Sequence, residues 1–389
     1  MRDLNSMASS SSPYLMNLLL ISLSVFFAGA FGCYSSIFSF GDSITDTGNL
    51  YISSKNSSFH FFFPPYGETY FHHPTGRCSD GRLIIDFIAE FLGLPYVRPY
   101  TEVKSNASPQ NIEGGVNFAV IGATAMDAEF LAAMGDENDY TNSSLGTQLH
   151  WFKELLPSLC NTSSNCNKLL SSSLVLVGEI GSNDYNDALL AGKNIEQVQT
   201  YVPLVITEIS SAINELIELG AVTLVVPGNF PIGCLPIYLT KFQTSDKGQY
   251  NSSTGCLNWL NKFAEYHNDQ LQIELSRIQR LHPNINIIYA DYYNAVMHFY
   301  HSPDQFGFIG GTVKACCGGG GPYNYNSSAQ CGSIEASACE NPAEFINWDG
   351  IHFTEAAYRW IVKVLFKGKY NVPGISRLVP CVFHKSSDN

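Results

Sequence analysis

Five short apolar runs, at residues 38–40, 116–120, 174–178, 222–226 and 285–290, are separated along the chain by longer segments whose apolar residues recur at helical spacing. A parallel sheet with helices on both faces satisfies such alternation, because each crossover helix buries its apolar stripe against the sheet to which the chain returns. The expected architecture is therefore α/β, in three α/β/α layers around a mostly parallel five-stranded sheet. In a sheet of order 2-1-3-4-5 the first and third strands flank the point where the order reverses, and ligands gather there beyond the carboxyl ends of the strands. No internal repeat or linker interrupts the pattern, so residues 33–389 are expected to form one domain.

Leu83, Ile84, Phe87, Ile88 and Phe91 fall on one face of a helix that Ser79 or Asp80 is placed to cap and that Gly93 and Pro95 end. Further helices are expected at 145–159, 195–219 and 256–281, and a last one at 355–366 with Thr354 as its N-cap. Residues 127–144 read as acidic and irregular. The stretch from Tyr51 to Tyr70 has no helical period. Its cluster Phe59, Phe61, Phe62, Phe63 and Tyr66 either lines a substrate cleft or pins a loop to the core, the second being the commoner fate of such aromatics. Arg77 and Arg82 suit either an acidic ligand or the bracing of a turn. Residues 314–342, with four cysteines and the run Gly318 to Gly321, read as a disulfide-stapled loop, and a glycine run without a following Lys-Ser/Thr is not a phosphate cradle.

Residues 1–32 read as a secretory signal: Arg2 precedes an apolar run from Leu15 to Phe31, and Ala28-Gly29-Ala30 offers a small-residue cleavage site. A membrane anchor is the rival reading, because the run approaches spanning length, but no Lys or Arg follows it as a stop-transfer flank. Asn-x-Ser/Thr triplets at Asn56, Asn106, Asn142, Asn161, Asn251 and Asn326 agree with passage through the secretory pathway. So do the 11 cysteines, many in polar, Gly/Asn/Ser-rich segments, which in an oxidising compartment read as disulfides. The odd number leaves at least one free thiol unless Cys33 departs with the signal. There is no Cys-x-x-Cys and no spaced His pair, so neither a metal nor another cofactor is expected. A net charge of -13 argues against nucleic acid and anionic membrane surfaces as partners, and no later segment is apolar enough for stable membrane insertion.

The chemistry converges on four separated stretches. Phe38-Ser39-Phe40-Gly41-Asp42-Ser43 is a strand running into a turn that would hold Ser43 at the strand's carboxyl end. A serine nucleophile needs a base, an orienting group and an oxyanion site. His352 is the candidate base, and Asp349, three residues earlier, is placed to reach its other ring nitrogen and hold the tautomer. The backbone N–H groups of Ser43 and Gly122 and the side-chain amide of Asn183 are the candidate oxyanion donors, the last two just beyond the second and third strands. Each piece alone is weak, since a Gly-Asp-Ser turn and an Asp-x-x-His spacing are both common; the four together, in order, are specific.

Gly41-Asp42-Ser43-Ile44, Asn117-Phe118-Ala119-x-x-Gly122-Ala123, Gly181-x-Asn183-Asp184 and Asp349-x-x-His352 resemble the four blocks of the GDSL, or SGNH, esterase/lipase family. Pro64-Pro65-Tyr66-Gly67 and the Pro74 to Arg82 stretch look like the plant branch of that family, which includes members that remove acetyl or hydroxycinnamoyl groups from metabolites. The resemblance spans residues 33–383. It implies a flavodoxin-like fold and hydrolysis of small-molecule or lipid carboxylic esters, with Ser43, Asp349 and His352 catalytic and Ser43, Gly122 and Asn183 as oxyanion donors. Ile44 stands where the family name has Leu, a conservative apolar exchange behind the nucleophile.

Two rivals remain. The same residues would serve an acyltransferase in which an alcohol replaces water, and a non-catalytic secreted glycoprotein would use the fold only for binding. An α/β-hydrolase elbow is excluded, because Thr45 occupies the final glycine position of Gly-x-Ser-x-Gly.

Overall fold

All five apolar runs become strands of one sheet in the computed structural model, which describes residues 34–54, 57–105, 112–136, 138 and 140–373. The strands are β1 (Ser36–Phe40), β2 (Arg98–Pro99), β3 (Gly114–Asn117), β4 (Ser173–Val177), β5 (Thr223–Pro227), β6 (Asn286–Ala290), β7 (Gly311–Ala315), β8 (Cys317–Gly318), β9 (Ser337–Ala338), β10 (Phe345–Asn347) and β11 (Asn371–Val372). The central sheet has the order β11-β6-β5-β4-β1-β3-β2, and β7/β10 and β8/β9 form two small satellite ladders. Its inner five strands are all parallel, and renumbered among themselves they give the expected 2-1-3-4-5. Sequence reading missed the two edge strands because each is only two residues long; β11 is the antiparallel one.

Among the longer helices are α1 (Ile84–Leu92), α2 (Leu145–Leu159), α3 (Ser182–Ala191), α4 (Val202–Glu218), α5 (Asn258–Leu281), α6 (Tyr292–His301) and α7 (Glu355–Phe366). Side-chain alternation along the strands assigns them to layers. Phe38 and Phe40 of β1 meet Phe152 of α2 at 5.3 and 5.6 Å between ring centroids. Leu174 and Leu176 of β4, in register with Ile37 and Ser39, point the other way, toward Ile88 and Leu92 of α1 and Leu365 and Phe366 of α7. Helix α4 packs against α2 and α5, whereas α7 packs against α1 and α6.

Four local expectations change. The helix expected over 195–219 is broken into Ile195–Gln199 and α4, because Pro203 in the first turn of α4 has no N–H to continue the earlier helix. Strand β3 ends at Asn117 rather than 120, since the Asn117 side chain accepts from the Ala119 N–H and bends the chain, although Phe118 and Val120 still donate to Ser39 and Gly41 carbonyls. Neither Ser79 nor Asp80 caps α1. That role falls to Asp86, which accepts from the Leu83 N–H, while Asp80 caps α7 by accepting from the Glu355 N–H at 2.7 Å. Thr354 caps α7 as expected, its hydroxyl accepting from Ala357 N–H. A short helix, Ala128–Ala133, forms inside the stretch expected to be irregular.

Candidate active site

Immediately after β1 the chain turns at Gly41, whose φ of +141° favours glycine; a Cβ there would stand 2.9 Å from the Glu179 carbonyl oxygen. The Gln148 side chain clamps this residue, accepting from its N–H and donating to its C=O, both at 2.8 Å. Asp42 N–H then bonds the Glu179 carbonyl at the end of β4, so the nucleophile turn is tied across the switch point it was expected to occupy. Asp46 closes the turn, its carboxylate accepting from the N–H groups of Gly48, Asn49, Leu50 and Ile121. Burial outweighs those four donors and raises its pKa to about 6.

Ser43 is 7% exposed, and its Oγ lies 2.9 Å from His352 Nε2. His352 Nδ1 lies 2.8 Å from Asp349 Oδ2. The sequence-predicted serine, imidazole and carboxylate thus form one unbroken chain of hydrogen bonds. Asp349 is positioned by its own turn, since Oδ1 accepts from the N–H groups of Ile351 and His352, both at 2.8 Å. Burial would raise its pKa, but the His352 charge and these hydrogen bonds prevail and hold the carboxyl well below the usual carboxylate range. The Tyr66 hydroxyl donates to the same Oδ2 at 2.7 Å.

Asn183, at the start of α3, reaches back to the site: its Nδ2 donates to the Ala123 carbonyl at 2.9 Å and approaches Asp42 Oδ2 at 3.4 Å. That bond joins the Asn183 amide to the Gly122-Ala123 turn. Gly122 has φ +79°, and a Cβ there would stand 2.8 Å from the Tyr140 Cβ, so only glycine allows the close approach. Asp184 receives the N–H groups of Ala125 and Met126, fixing the same turn from below, and burial raises its pKa to about 7. Beneath Ser43 the buried carboxyls of Asp42 and Glu179 face one another. Burial and the neighbouring Glu179 charge push Asp42 well above the carboxylate range, and burial raises Glu179 as well.

The disulfide-stapled loop borders this arrangement. Nested bonds Cys316–Cys339 and Cys317–Cys331 close it, and Cys316 and Cys317 N–H groups donate to the carbonyls of Asn347 and Trp348, just before Asp349. Cys160–Cys166 and Cys234–Cys256 are also bonded, and Cys78 is a free, buried thiol. Of the aromatic cluster, Phe61, Phe62 and Tyr66 are buried and Phe63 is exposed, while Phe59 and Phe61 stack beside Tyr140. Arg77 and Arg82 brace turns: Arg77 forms a two-pronged pair with buried Asp86, and Arg82 binds Glu90 and Glu355. Asn142, Asn161 and Asn326 are exposed and Asn251 is half-buried, whereas Asn56, Asn106, the segment 1–32 and Cys33 lie outside the described residues.

Gln148, Asp46 and Tyr66 were not singled out as site residues from sequence. Tyr66 sits inside a noted motif and Asp46 lies just beyond one, but nothing local in the sequence says where their side chains point. Among the described residues no group of three or more His, Cys, Asp or Glu side chains is disposed to hold a metal ion, and no helix is long and apolar enough to cross a membrane.

Residues 37–365 match the sequence model of the GDSL-like Lipase/Acylhydrolase family. The chain belongs to that family. Among its relatives are two Arabidopsis thaliana proteins, each named a GDSL esterase/lipase. One is 52% identical over 375 residues, covering 94% of this chain and 95% of the relative. The other is 54% identical over 342 residues, covering 87% and 86%. Membership in the GDSL family, with relatives this similar over nearly the whole chain, makes the protein a carboxylic ester hydrolase.

Proposed function

We propose that this GDSL hydrolase cleaves its ester through an acyl-enzyme on Ser43. The hydrogen-bonded chain from Ser43 through His352 to Asp349 carries the reading. Ser43 Oγ attacks the ester carbonyl carbon as His352 Nε2 takes its proton; the imidazolium so formed is stabilised by Asp349. The tetrahedral oxyanion is received by the N–H groups of Ser43 and Gly122 and by the Asn183 amide, which Ala123 already orients. Collapse expels the alcohol, which leaves with the proton held by His352. Water, deprotonated by the same ring, then releases the acid and restores Ser43.

The substrate is a small-molecule or lipid ester, and the protein acts after secretion. Four disulfides among the described residues and sequons at exposed Asn142, Asn161 and Asn326 support an oxidising, glycosylating route, with residues 1–32 as the signal and the remainder as one domain. Ser43→Ala tests the mechanism: the folded variant loses ester cleavage and fluorophosphonate labelling together. Normal turnover by that variant refutes it. A panel of acetyl, long-chain and hydroxycinnamoyl esters ranks the acyl groups.

A further inference from the structure

We propose that Tyr66 is a positioning residue for hydrolysis: its hydroxyl, donated to Asp349 Oδ2, anchors the carboxylate that orients His352 and offsets part of its charge. The proposal rests on Ser43, His352 and Asp349 acting together as described above. It gives a role to the Pro64-Pro65-Tyr66-Gly67 stretch, which the reaction scheme leaves unused.

An ionised carboxylate offers about four acceptor positions, and Asp349 fills them with the N–H groups of Ile351 and His352 on Oδ1 and with His352 Nδ1 and Tyr66 O–H on Oδ2. Three of these donors belong to the 349–352 turn itself and move with it. Tyr66 comes from 283 positions away and ties that turn to a different part of the molecule. Because it shares Oδ2 with His352 Nδ1, it also competes for the electron density that stabilises the imidazolium.

The phenol is held in place for this. Tyr66 is 1% exposed, with its ring edge-on to Trp348 at 5.8 Å and beside His60 at 6.2 Å. The stapled loop closes the cage: Gly332, following disulfide-bonded Cys331, lies so near that a Cβ there would meet the His60 carbonyl oxygen at 2.1 Å and the Tyr66 ring at 3.4 Å. His60 Nδ1 pairs with the Cys331 carbonyl at 2.9 Å, and the Cys317 N–H donates to the Trp348 carbonyl at 2.7 Å, so the loop grips both walls. Behind it, Gly67 N–H docks on the Ser79 carbonyl. Burial, reinforced by Asp349, keeps the phenol protonated and therefore a donor.

Four further titratable groups face Asp349. Burial lowers the pKa of His60 and raises those of Cys78, Tyr325 and Tyr358. Asp42 and Asp46 of the nucleophile turn act on Cys78, and Asp42 also on Tyr358. All of these are shared by the wild type and a Tyr66 variant, so a difference between the two reads the one hydrogen bond.

The test uses the full chain with Tyr66→Phe, which keeps the ring in its cage. We expect kcat to fall about 10-fold or more with KM nearly unchanged, the size of a lost hydrogen bond to a charged group. The acid limb of the pH–rate profile should move up by roughly 0.5 to 1 pH unit, because a carboxylate relieved of one donor favours the imidazolium more strongly. Site-specific 3-fluorotyrosine at position 66, a stronger donor, should move the limb down. Unchanged kcat with an unmoved limb overturns the proposal, and so does a loss of kcat with the limb fixed or lowered, which marks a packing role alone. If the Phe variant does not accumulate folded, the fluorotyrosine protein decides, and an unmoved limb refutes. The NMR titration midpoint of the His352 ring, measured with and without Tyr66→Phe in a Ser43→Ala background, tests the coupling without turnover. Retained activity in Ser43→Ala would therefore defeat the triad reading, and the role of Tyr66 would then be decided by that midpoint.

Discussion

Ser43 Oγ and His352 Nε2 lie 2.9 Å apart although 309 positions separate the two residues. Two sets of contacts bring them together. On one side, Gly41, Asp42 and Asp46 lock the turn after β1 onto α2, the end of β4 and the 117–123 segment. On the other, the Ser79–Arg82 turn grips the chain around α7: Ser79 hydroxyl donates to the Phe353 carbonyl, Asp80 accepts from Glu355 N–H, and the Glu355 carboxylate accepts from Arg82 N–H. The histidine turn is thus held from both ends, with Ile237 N–H also donating to the Gly350 carbonyl.

Asn183→Ala removes the side-chain donor proposed for the oxyanion. One N–H of its amide is held by the Ala123 carbonyl. A loss of about 100- to 1,000-fold in kcat with little change in KM is expected from steady-state kinetics. A variant within about threefold of wild type, well short of that range, would remove Asn183 from the set.

Arg77→Ala strips both side-chain donors from Asp86, which is fully buried and left with the Leu83 N–H. An uncompensated buried carboxylate costs about 3–5 kcal/mol, read as a lower midpoint in urea. Arg77→Lys should recover only part of this, since an ammonium cannot reproduce the two-pronged geometry. A penalty under about 1 kcal/mol would mean that the pair is not the strut it resembles.

His267 lies buried in α5 with Nδ1 2.8 Å from the Tyr185 hydroxyl, and burial lowers its pKa to about 3. The unfolded chain takes this proton near pH 6.5, so between pH 6.5 and 3 the unfolded state binds more protons at this site. Stability from this residue therefore falls as pH drops, by about 1.4 kcal/mol per pH unit. Asp46 and Asp184, raised to about 6 and about 7, act in the opposite sense: the folded state gains their protons first, and their stabilising contribution is lost as pH rises through those values. The difference in unfolding free energy between wild type and His267→Gln cancels the carboxyls, and it should shift against the wild type at each step below pH 6.5. A difference that stays flat with pH would contradict the assignment.

The sequence by itself determined which five segments form the inner strands, the Thr354 cap, the stapled 314–342 loop, and the Asp-x-x-His turn. These are written locally: period-two and helical spacing report which face of a segment is buried, and a three-residue spacing within one turn sets its own geometry. Tertiary structure alone decided that Tyr66 bonds Asp349, that Asp80 caps α7 rather than α1, that Gln148 clamps Gly41, and that Cys78 stays a free thiol. Each depends on how segments without any period dock on one another. A polar side chain in such a segment takes whichever buried partner the finished packing leaves within hydrogen-bonding distance, and residue order carries no record of that distance.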